Sequence, residues 1–345
     1  MTSYPSYNNE TSGLEVARTF SAQANGKTVL ITGVSPGGIG DALARAFAYG
    51  GASIIIITGR NDERLAEETA SLRTTYPSTS FRPLKLSLDS LEATSASANE
   101  LIGDDSIPQI DIIIANAGFH SFATQRTVTA DGLESHFGAN YLAHFYLISL
   151  LLPKLRASIK SNASTPGATR IITMSSMATH VSPIRFSDWN FEGKPLAENE
   201  NPNWAFLKNI GIDEHEGYDG NVAYAQSKTA KVLLALELSK RLSSEGIFSF
   251  AVNPGVVMST AAINNLPKLP EKLREGLLSV SATKNIDQGC ATAIVAALDP
   301  KLTPGAGIFL ADCQFAEAPS WATHAESAER LWELSEGLLK EKLGA

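Results

Sequence analysis

Residues 27–47 read KTVLITGVSPGGIGDALARAF, and this stretch decides the fold. The apolar run Thr28–Thr32 predicts a β-strand, and the following segment, Gly38–Tyr49, predicts an amphipathic helix. Glycines in the turn between them allow the main chain to approach a pyrophosphate, and the helix N-terminus offers unpaired N–H groups to its oxygens. A purely structural turn has the same composition, but the order strand, glycine turn, helix favours a dinucleotide site. The residues predicted to face the phosphates are Gly33, Ser35, Gly38, Ile39 and Gly40.

The rest of the chain continues the alternation of apolar runs and helix-favouring segments. The predicted strands after the first are Ser53–Thr58, Phe81–Leu88, Ile110–Ala115, Arg170–Met174, Phe248–Val252 and Gly307–Leu310. The predicted helices after the first are Asp62–Tyr76, Leu91–Ile102, Gly132–Ser158, Val222–Leu242 and Ile286–Leu298. Apolar runs separated by helices are typical of a parallel sheet that is buried on both faces. The sequence therefore predicts a single-domain α/β protein with a Rossmann-type, doubly wound parallel sheet of about seven strands.

Composition limits the classes of partner and location. The chain has 345 residues, of which 43% are hydrophobic, and a net charge of −8, which argues against nucleic acid as a partner. No apolar run reaches the length of a membrane span, and the polar residues 1–12 lack the pattern of a secretory signal and are predicted to be disordered. With only two cysteines, a cytoplasmic location with reduced thiols is expected, and no metal site is predicted.

The end of the second predicted strand determines which cofactor the site prefers. An acidic residue at this position binds the 2′-hydroxyl of NAD, whereas an arginine binds the 2′-phosphate of NADP. Gly59 stands where the acidic residue is expected and Arg60 follows it, so NADP(H) is predicted; Asp62 is interpreted as a helix N-cap. After the third strand, Asp89 either faces the adenine or caps the next helix.

Several polar residues follow predicted strands or open predicted helices at the edge where this fold binds ligands. Asn116-Ala117-Gly118 follows the fourth strand, where it either borders the cofactor or forms an ordinary turn. His120 either touches the substrate or faces the solvent, and the solvent-facing position is expected. Tyr224 and Lys228 are four residues apart and share one helix face, as many unrelated pairs do. A nearby ammonium stabilises a phenolate, so the pair predicts a tyrosine with a lowered pKa that exchanges protons.

Taken together, these motifs resemble the short-chain dehydrogenase/reductase family, in particular its retinol-dehydrogenase-like and carbonyl-reductase-like branches. The resemblance covers about Lys27 to Leu310, although the glycine turn has one residue more than the usual spacing. It implies Tyr224 as the general acid/base, Ser176 as the residue that holds the substrate oxygen, Lys228 as a ligand of the nicotinamide ribose, and Asn140 as part of a proton relay. It also implies that the cofactor contacts include Pro254, Gly255, Val257 and Ser259.

The chain departs from the family pattern between Ser176 and Tyr224, which are 48 positions apart and enclose an inserted segment, 182–220. Its large aromatic residues predict that it packs on the domain, and our hypothesis is that it lines the substrate crevice and covers part of the helix from Val222. In most of the family that helix forms the dimer contact, so a monomer is favoured and a dimer remains the alternative. A surface excursion without consequence is the plainer interpretation. The C-terminal tail, 320–345, is predicted to dock as a helix.

The predicted activity is the NADP(H)-dependent transfer of a hydride between the nicotinamide and a small-molecule carbonyl/alcohol substrate that is largely apolar. Hydride transfer builds negative charge on the carbonyl oxygen, which requires aimed donors and a proton source. A lyase or isomerase that uses the same tyrosine is one alternative. A regulator that binds NADP without turnover is the other, and it would need none of the four residues of the catalytic set.

Overall fold

The computed structural model describes residues 1–161, 165, 167–279 and 281–344, and it is organised around one eight-stranded sheet. The strands of this sheet are β1 (Thr28–Ile31), β2 (Ile54–Gly59), β3 (Ser80–Lys85), β4 (Ile112–Ala115), β5 (Thr169–Met174), β6 (Ile247–Asn253), β9 (Phe309–Ala311) and β10 (Gln314–Phe315). Their order is β10-β9-β6-β5-β4-β1-β2-β3. Two further strands, β7 (Val256–Val257) and β8 (Thr283–Lys284), form a separate parallel pair.

Twelve α-helices surround these strands within the described residues. They are α1 (Gly13–Thr19), α2 (Ser21–Ala24), α3 (Ile39–Tyr49), α4 (Asp62–Thr75), α5 (Leu91–Ile102), α6 (Ala143–Ser161), α7 (Trp204–Asn209), α8 (Gly220–Leu242), α9 (Thr260–Asn265), α10 (Glu271–Ser279), α11 (Ile286–Leu298) and α12 (Ala325–Leu343). A π-helical segment, Phe137–Leu142, leads directly into α6. Two hydrophobic clusters, one on each face of the sheet, make this a doubly wound Rossmann-type fold, as predicted.

The seven predicted strands are all present and pair in parallel, which confirms the fold class. Valine, leucine and isoleucine residues in β1 and β4 are fully buried because helices cover both faces of the sheet. The strand of this sheet that the sequence did not predict is β10, which pairs antiparallel with β9, and the separate pair β7 and β8 was not predicted either. The loop between these two strands has positive φ angles at Asp312 and Cys313, as two-residue hairpin loops often require.

The N-terminal segment is ordered against the domain, so the prediction of a disordered tail over residues 1–12 is wrong. The hydroxyl of Thr2 donates to Gln314 Oε1 at 2.6 Å, and the main-chain N–H of Ser3 donates to Asp299 Oδ2 at 2.6 Å. The ring of Tyr7 is buried and stacks on Tyr4. These long-range contacts connect the first residues of the chain to the end of α11 and to β10.

The C-terminal helix α12 docks on the domain. Both α12 and the inserted segment pack against α8. Near the N-terminal end of α8, Gln226 accepts from the N–H of Arg185 at 2.9 Å, and this arginine belongs to the insertion. Near the other end, the guanidinium of Arg241 lies over the ring of Trp332 in α12 at 4.3 Å. The same tryptophan packs edge-on against Phe145 of α6. The insertion therefore covers part of α8, and α12 covers the part near the other end.

The segment Phe137–Ser161, which combines the π-helical turn with α6, is long and apolar enough to span a membrane by length and composition alone. Half of its most apolar window is buried inside the molecule. A core helix passes the same test, so this single segment is weak evidence for a membrane span.

Candidate active site

The glycine turn between β1 and α3 has the geometry of a cradle for phosphates. Gly33 and Gly37 adopt left-handed φ angles of 72° and 67°, which side chains other than glycine rarely tolerate. A Cβ atom on Gly40 would overlap the carbonyl oxygen of Gly33. Gly38 is the N-cap of α3 and supplies no side chain there, so N–H groups of the first helical turn stay available. The turn therefore fits the pyrophosphate of a dinucleotide.

Residues at the ends of β2 and β3 surround the place expected for the adenosine half of the cofactor. Arg60 follows β2 directly and is exposed, and Asp89 is exposed beyond β3. The interpretation of Asp62 as an N-cap is wrong, and so is the capping alternative for Asp89. Asn61, and not Asp62, caps α4 by accepting from Arg64 N at 2.9 Å. Ser90, and not Asp89, caps α5 by accepting from Ala93 N at 3.2 Å.

The turn Asn116-Ala117-Gly118 is fixed against the glycine turn. The Asn116 amide donates to the carbonyls of Thr32 and Gly33 at 2.8 and 3.1 Å. The N–H of Ala117 donates to Thr32 Oγ1 at 2.9 Å. The amide of Asn116 is therefore bonded to main-chain groups of the glycine turn, and its role is to hold the two turns together.

Ser176, Tyr224 and Lys228 meet at the carboxyl end of the sheet. Ser176 follows β5, its hydroxyl oxygen accepts from the N–H of Ala178 at 3.2 Å, and it lies close enough to Tyr224 to lower the pKa of the phenol. The neighbouring Ser175 is buried, and its hydroxyl donates to the carbonyl of Lys228 at 2.8 Å, which leaves Ser176 as the serine on the tyrosine. The ammonium of Lys228 lies 5.4 Å from the centroid of the Tyr224 ring and donates to the carbonyl of Met174 at 3.0 Å.

The electrostatics of this group differ from the sequence-based expectation. Burial raises the pKa of Tyr224, and the nearby hydroxyl of Ser176 opposes this without overcoming it. Burial lowers the pKa of Lys228 to about 8. The expected lowering of the Tyr224 pKa by Lys228 is therefore not found in the protein without its cofactor. Desolvation disfavours both the phenolate of Tyr224 and the ammonium of Lys228.

Asn140 lies in the π-helical segment and is completely buried. Its amide group donates to the carbonyl of Phe119 and to Ser227 Oγ, at 3.0 and 3.1 Å, and its oxygen accepts from Phe119 N at 3.0 Å. The main-chain carbonyl of Asn140 bonds to His144 Nδ1 at 3.0 Å. The asparagine thus positions the loop that follows β4 beside the helix of Tyr224.

The four residues predicted from the segment after β6 lie beside the crevice in different ways. Gly255 has a φ of 85°, follows Pro254, and donates its N–H to Asn253 Oδ1 at 3.0 Å. Ser259 caps α9 through Ala262 N. The side chain of Val257 is half-buried and lies against Gly289 of α11.

The structure adds site residues that sequence reasoning missed. Lys231 is fully buried, one helical turn after Lys228, and donates to the carbonyls of Ala115 and Ala117 at 2.7 and 3.3 Å. Thr260 donates its N–H to the carbonyl of Gly37 at 3.0 Å and so joins α9 to the glycine turn. The position of Lys231, a lysine in an otherwise apolar helix turn, could have indicated its role from the sequence. No feature of the sequence indicated the role of Thr260.

A buried network links the insertion to the wall of the crevice. The hydroxyl of Tyr218, near the end of the insertion, donates to Glu134 Oε1 at 2.8 Å, and the same oxygen bonds to His136 Nδ1 at 2.8 Å. Burial by itself raises the pKa of Glu134, but hydrogen bonds from His136 and from main-chain N–H groups outweigh it and lower the pKa overall. His136 Nε2 accepts from Ser121 N at 3.1 Å, which extends the network to the loop after β4.

His120 is exposed, as expected, and it also belongs to the site. Its ring stacks on that of Tyr224, with centroids 4.1 Å apart and an interplanar angle of 15°. Its Nε2 is 3.1 Å from Asn221 Oδ1. Part of the side chain still reaches solvent, so His120 forms a wall of the open crevice above the tyrosine.

This arrangement of turn, strand ends and helix matches known proteins. The family model of short chain dehydrogenases matches residues 27–189. Oxidoreductase fscI of Fusarium equiseti is 36% identical over 250 residues, which cover 72% of this chain and 94% of the relative. Mouse retinol dehydrogenase 12 is 32% identical, with 93% of this chain and 89% of the relative covered.

The protein belongs to the short-chain dehydrogenase/reductase family.

Solved structures of this family share the fold at lower sequence identity. NADPH-bound carbonyl reductase from chicken fatty liver has a TM-score of 0.61 at 19% identity, with 85% of this chain and 94% of that chain covered. The NADP complex of RhlG from Pseudomonas aeruginosa has a TM-score of 0.58 at 24% identity, with 83% and 94% covered. These structures show that the protein has the Rossmann-type fold, and the relatives above show that it is an oxidoreductase of the family.

Proposed function

We propose that the protein is an NADP(H)-dependent oxidoreductase that interconverts a carbonyl group and an alcohol. The observation that carries the proposal is that Ser176, Tyr224 and Lys228 lie together at the carboxyl end of the sheet, the same edge at which the glycine turn follows β1. Relatives named as an oxidoreductase and as a retinol dehydrogenase support the reaction class. Relatives solved with NADP or NADPH support the choice of cofactor.

In this mechanism the nicotinamide supplies the hydride, and the protein supplies position and a proton. Ser176 and Tyr224 donate hydrogen bonds to the substrate oxygen and stabilise the negative charge that grows on it. Tyr224 then gives its proton to that oxygen, and its raised pKa keeps the phenol protonated at neutral pH. Lys228 and the Asn116-Ala117-Gly118 turn hold the nicotinamide half, and the glycine turn holds the pyrophosphate.

The reaction is tested by mixing the protein with NADPH and a panel of ketones and aldehydes while following absorbance at the nicotinamide band. NADPH consumption is expected with at least one carbonyl compound, and Tyr224→Phe is expected to lower the rate by about 10²- to 10⁴-fold. Tyr49→Phe, at an exposed tyrosine outside the site, is the matched control. Tight NADPH binding without consumption would favour a regulator, and a product formed without change in NADPH would favour a lyase or isomerase.

The preference for NADP(H) rests on Arg60 at the end of β2, where no acidic residue stands at position 59. Arg60→Ala is expected to weaken NADPH binding by about tenfold or more and to leave NADH nearly unchanged, because only NADPH carries the 2′-phosphate. Arg64→Ala, at an exposed arginine in α4, is the matched control. Equal losses for both cofactors would contradict the assignment.

We also propose that the protein works in the cytoplasm. Both cysteines, Cys290 and Cys313, are buried free thiols, which agrees with a reducing compartment. Fractionation of cells that express the full chain, with the protein in the membrane pellet, would contradict this location.

A further inference from the structure

His120 has only one edge free for a ligand. Tyr224 covers its ring at a centroid distance of 4.1 Å, and Phe122 approaches it at 4.2 Å with a tilt of 39°. Tyr224 and Phe122 have no ring contact with each other in the described part of the chain, so they approach the imidazole from different sides. A substrate therefore meets the edge of the imidazole, where the nitrogens are, and not its face.

The hydrogen bond to Asn221 determines what that edge offers. With the Asn221 side-chain oxygen as acceptor, at 3.1 Å, His120 Nε2 carries the proton. The surrounding protein atoms, together with His136, lower the pKa of His120, so the imidazole is neutral. In a neutral imidazole with a protonated Nε2, Nδ1 is a hydrogen-bond acceptor. The structure gives Nδ1 no partner among the described residues.

The acceptor lies beside otherwise apolar surface. Phe119, with 42% of its surface exposed, and Phe122 flank His120 in the loop after β4. A substrate that covers this wall removes water from Nδ1. If the substrate brings no donor, Nδ1 is left without a hydrogen bond in an apolar contact, and this weakens the binding free energy. The wall therefore discriminates between substrates by whether they bring a donor to this nitrogen.

We propose that His120 is a specificity-determining residue that accepts, through Nδ1, a hydrogen bond from a hydroxyl group one or two bonds from the reacting carbonyl. This inference rests on the proposed carbonyl reductase function. The position follows from the stack, because the imidazole lies against the ring whose hydroxyl binds the carbonyl oxygen. The preferred substrate class is thus hydroxy-ketones or hydroxy-aldehydes with an apolar remainder.

The test compares two ketones that differ in the donor. Both 2-hydroxyacetophenone and 2-methoxyacetophenone carry an oxygen atom on the methylene carbon beside the carbonyl. The two substituents have similar inductive effects, but only the hydroxyl donates a hydrogen bond. The wild-type protein is expected to prefer the hydroxyl compound by about tenfold in kcat/KM, the range of one hydrogen bond. His120→Phe keeps an aromatic ring on Tyr224 and is expected to bring the ratio close to one. His120→Gln keeps an acceptor and is expected to retain part of the preference.

The outcomes separate this inference from the proposed function. A wild-type ratio near one, or an unchanged ratio in His120→Phe, overturns the role of His120 even if both ketones are reduced. If none of the carbonyl compounds tested leads to consumption of NADPH, the result contradicts the proposed function instead. Thermal unfolding of each variant identifies those that fail to fold, and the ratio within one protein is independent of the fraction that is active.

Discussion

At the scale of single residues, the structure gives Lys228 a role that depends on pH. The pKa of this buried ammonium is lowered to about 8, whereas that of Tyr224 is raised above its ordinary value. The tyrosine is therefore protonated throughout the neutral range, and the lysine is the group that changes charge first as pH rises.

We predict that kcat/KM for carbonyl reduction is constant below about pH 7 and declines as pH rises through about 8, because Lys228 loses its proton there. Lys228→Arg, which stays charged, is expected to move the decline to higher pH even if the rate is lower. A pH profile of initial rates at saturating NADPH checks this. A rate that stays constant to pH 9.5 in the wild type would show that the lysine charge is not needed.

Lys231 is a second buried lysine, and its hydrogen bonds indicate a positioning role. Its amine donates to the carbonyls of Ala115 and Ala117, on either side of Asn116, and Ala117 lies against Gly33. Lys231→Met keeps the length of the side chain and removes the donor, so we expect NADPH to bind about fivefold to tenfold more weakly through loss of two hydrogen bonds. Lys240→Met, at an exposed lysine of the same helix, is the control for measurements of the NADPH dissociation constant.

The same substitution tests the protonation of the buried lysines. Burial lowers the pKa of Lys231 far below that of an unfolded lysine, about 10.4, so the unfolded chain binds protons that the folded protein does not. The free energy of unfolding is therefore expected to rise with pH from about 8 to 9.5. In Lys231→Met this slope should become smaller. An unchanged slope in urea titrations would mean that Lys231 is protonated in the folded state.

At the scale of elements, the insertion is attached to the site by its last residues. Tyr218 donates to Glu134, and the Gly220 N–H donates to the carbonyl of Ala123 at 2.9 Å. Both contacts reach the loop or helix turn that borders His120. The insertion therefore supports the substrate wall from behind.

We predict that Tyr218→Phe lowers the free energy of unfolding by about 2 kcal/mol, because a buried carboxylate loses a donor. The same variant should raise KM for the carbonyl substrate and leave NADPH binding unchanged, since the network faces the substrate side. Denaturant unfolding and steady-state kinetics measure both, with Tyr49→Phe as the exposed control. Loss of NADPH binding would show that the network supports the cofactor site instead.

The sequence predicted the seven parallel strands because continuous runs such as Ile54–Ile57 have no stable place except a sheet buried on both faces. It did not predict β10, because two residues carry no periodicity and Asp312-Cys313 is not a typical hairpin turn. It indicated Ser176, Tyr224 and Lys228 through spacing within the family pattern. It did not reveal the stack of His120, since ring contacts across the crevice depend on how separate loops pack.

At the scale of the whole molecule, α12 covers outer surface of α6 and α8. The hydroxyl of Tyr141, beside α6, bonds to Ser335 Oγ at 2.7 Å, and Trp332 packs between Phe145 and Arg241. The helix pair α6 and α8 is therefore covered by the chain itself. A second copy would have to displace α12 to pack on that pair.

We predict that the full chain is a monomer of 36.7 kDa in light scattering at micromolar concentration. Leu331→Arg places a charge on the buried face of α12 and is expected to detach the helix, so that the protein dimerises or aggregates. Glu333→Arg, at an exposed position of α12, is the control. A stable wild-type dimer would contradict the prediction.

The N-terminal segment has a consequence for how the chain folds during synthesis. Thr2 and Ser3 bind partners 312 and 296 residues further along the chain, and α12 is made later still. At synthesis rates of about 5–20 residues per second, the first residues wait for tens of seconds before their partners leave the ribosome. Until then the start of the chain and the apolar sides of α6 and α8 are uncovered, so chaperones that bind nascent chains have a long interval in which to act.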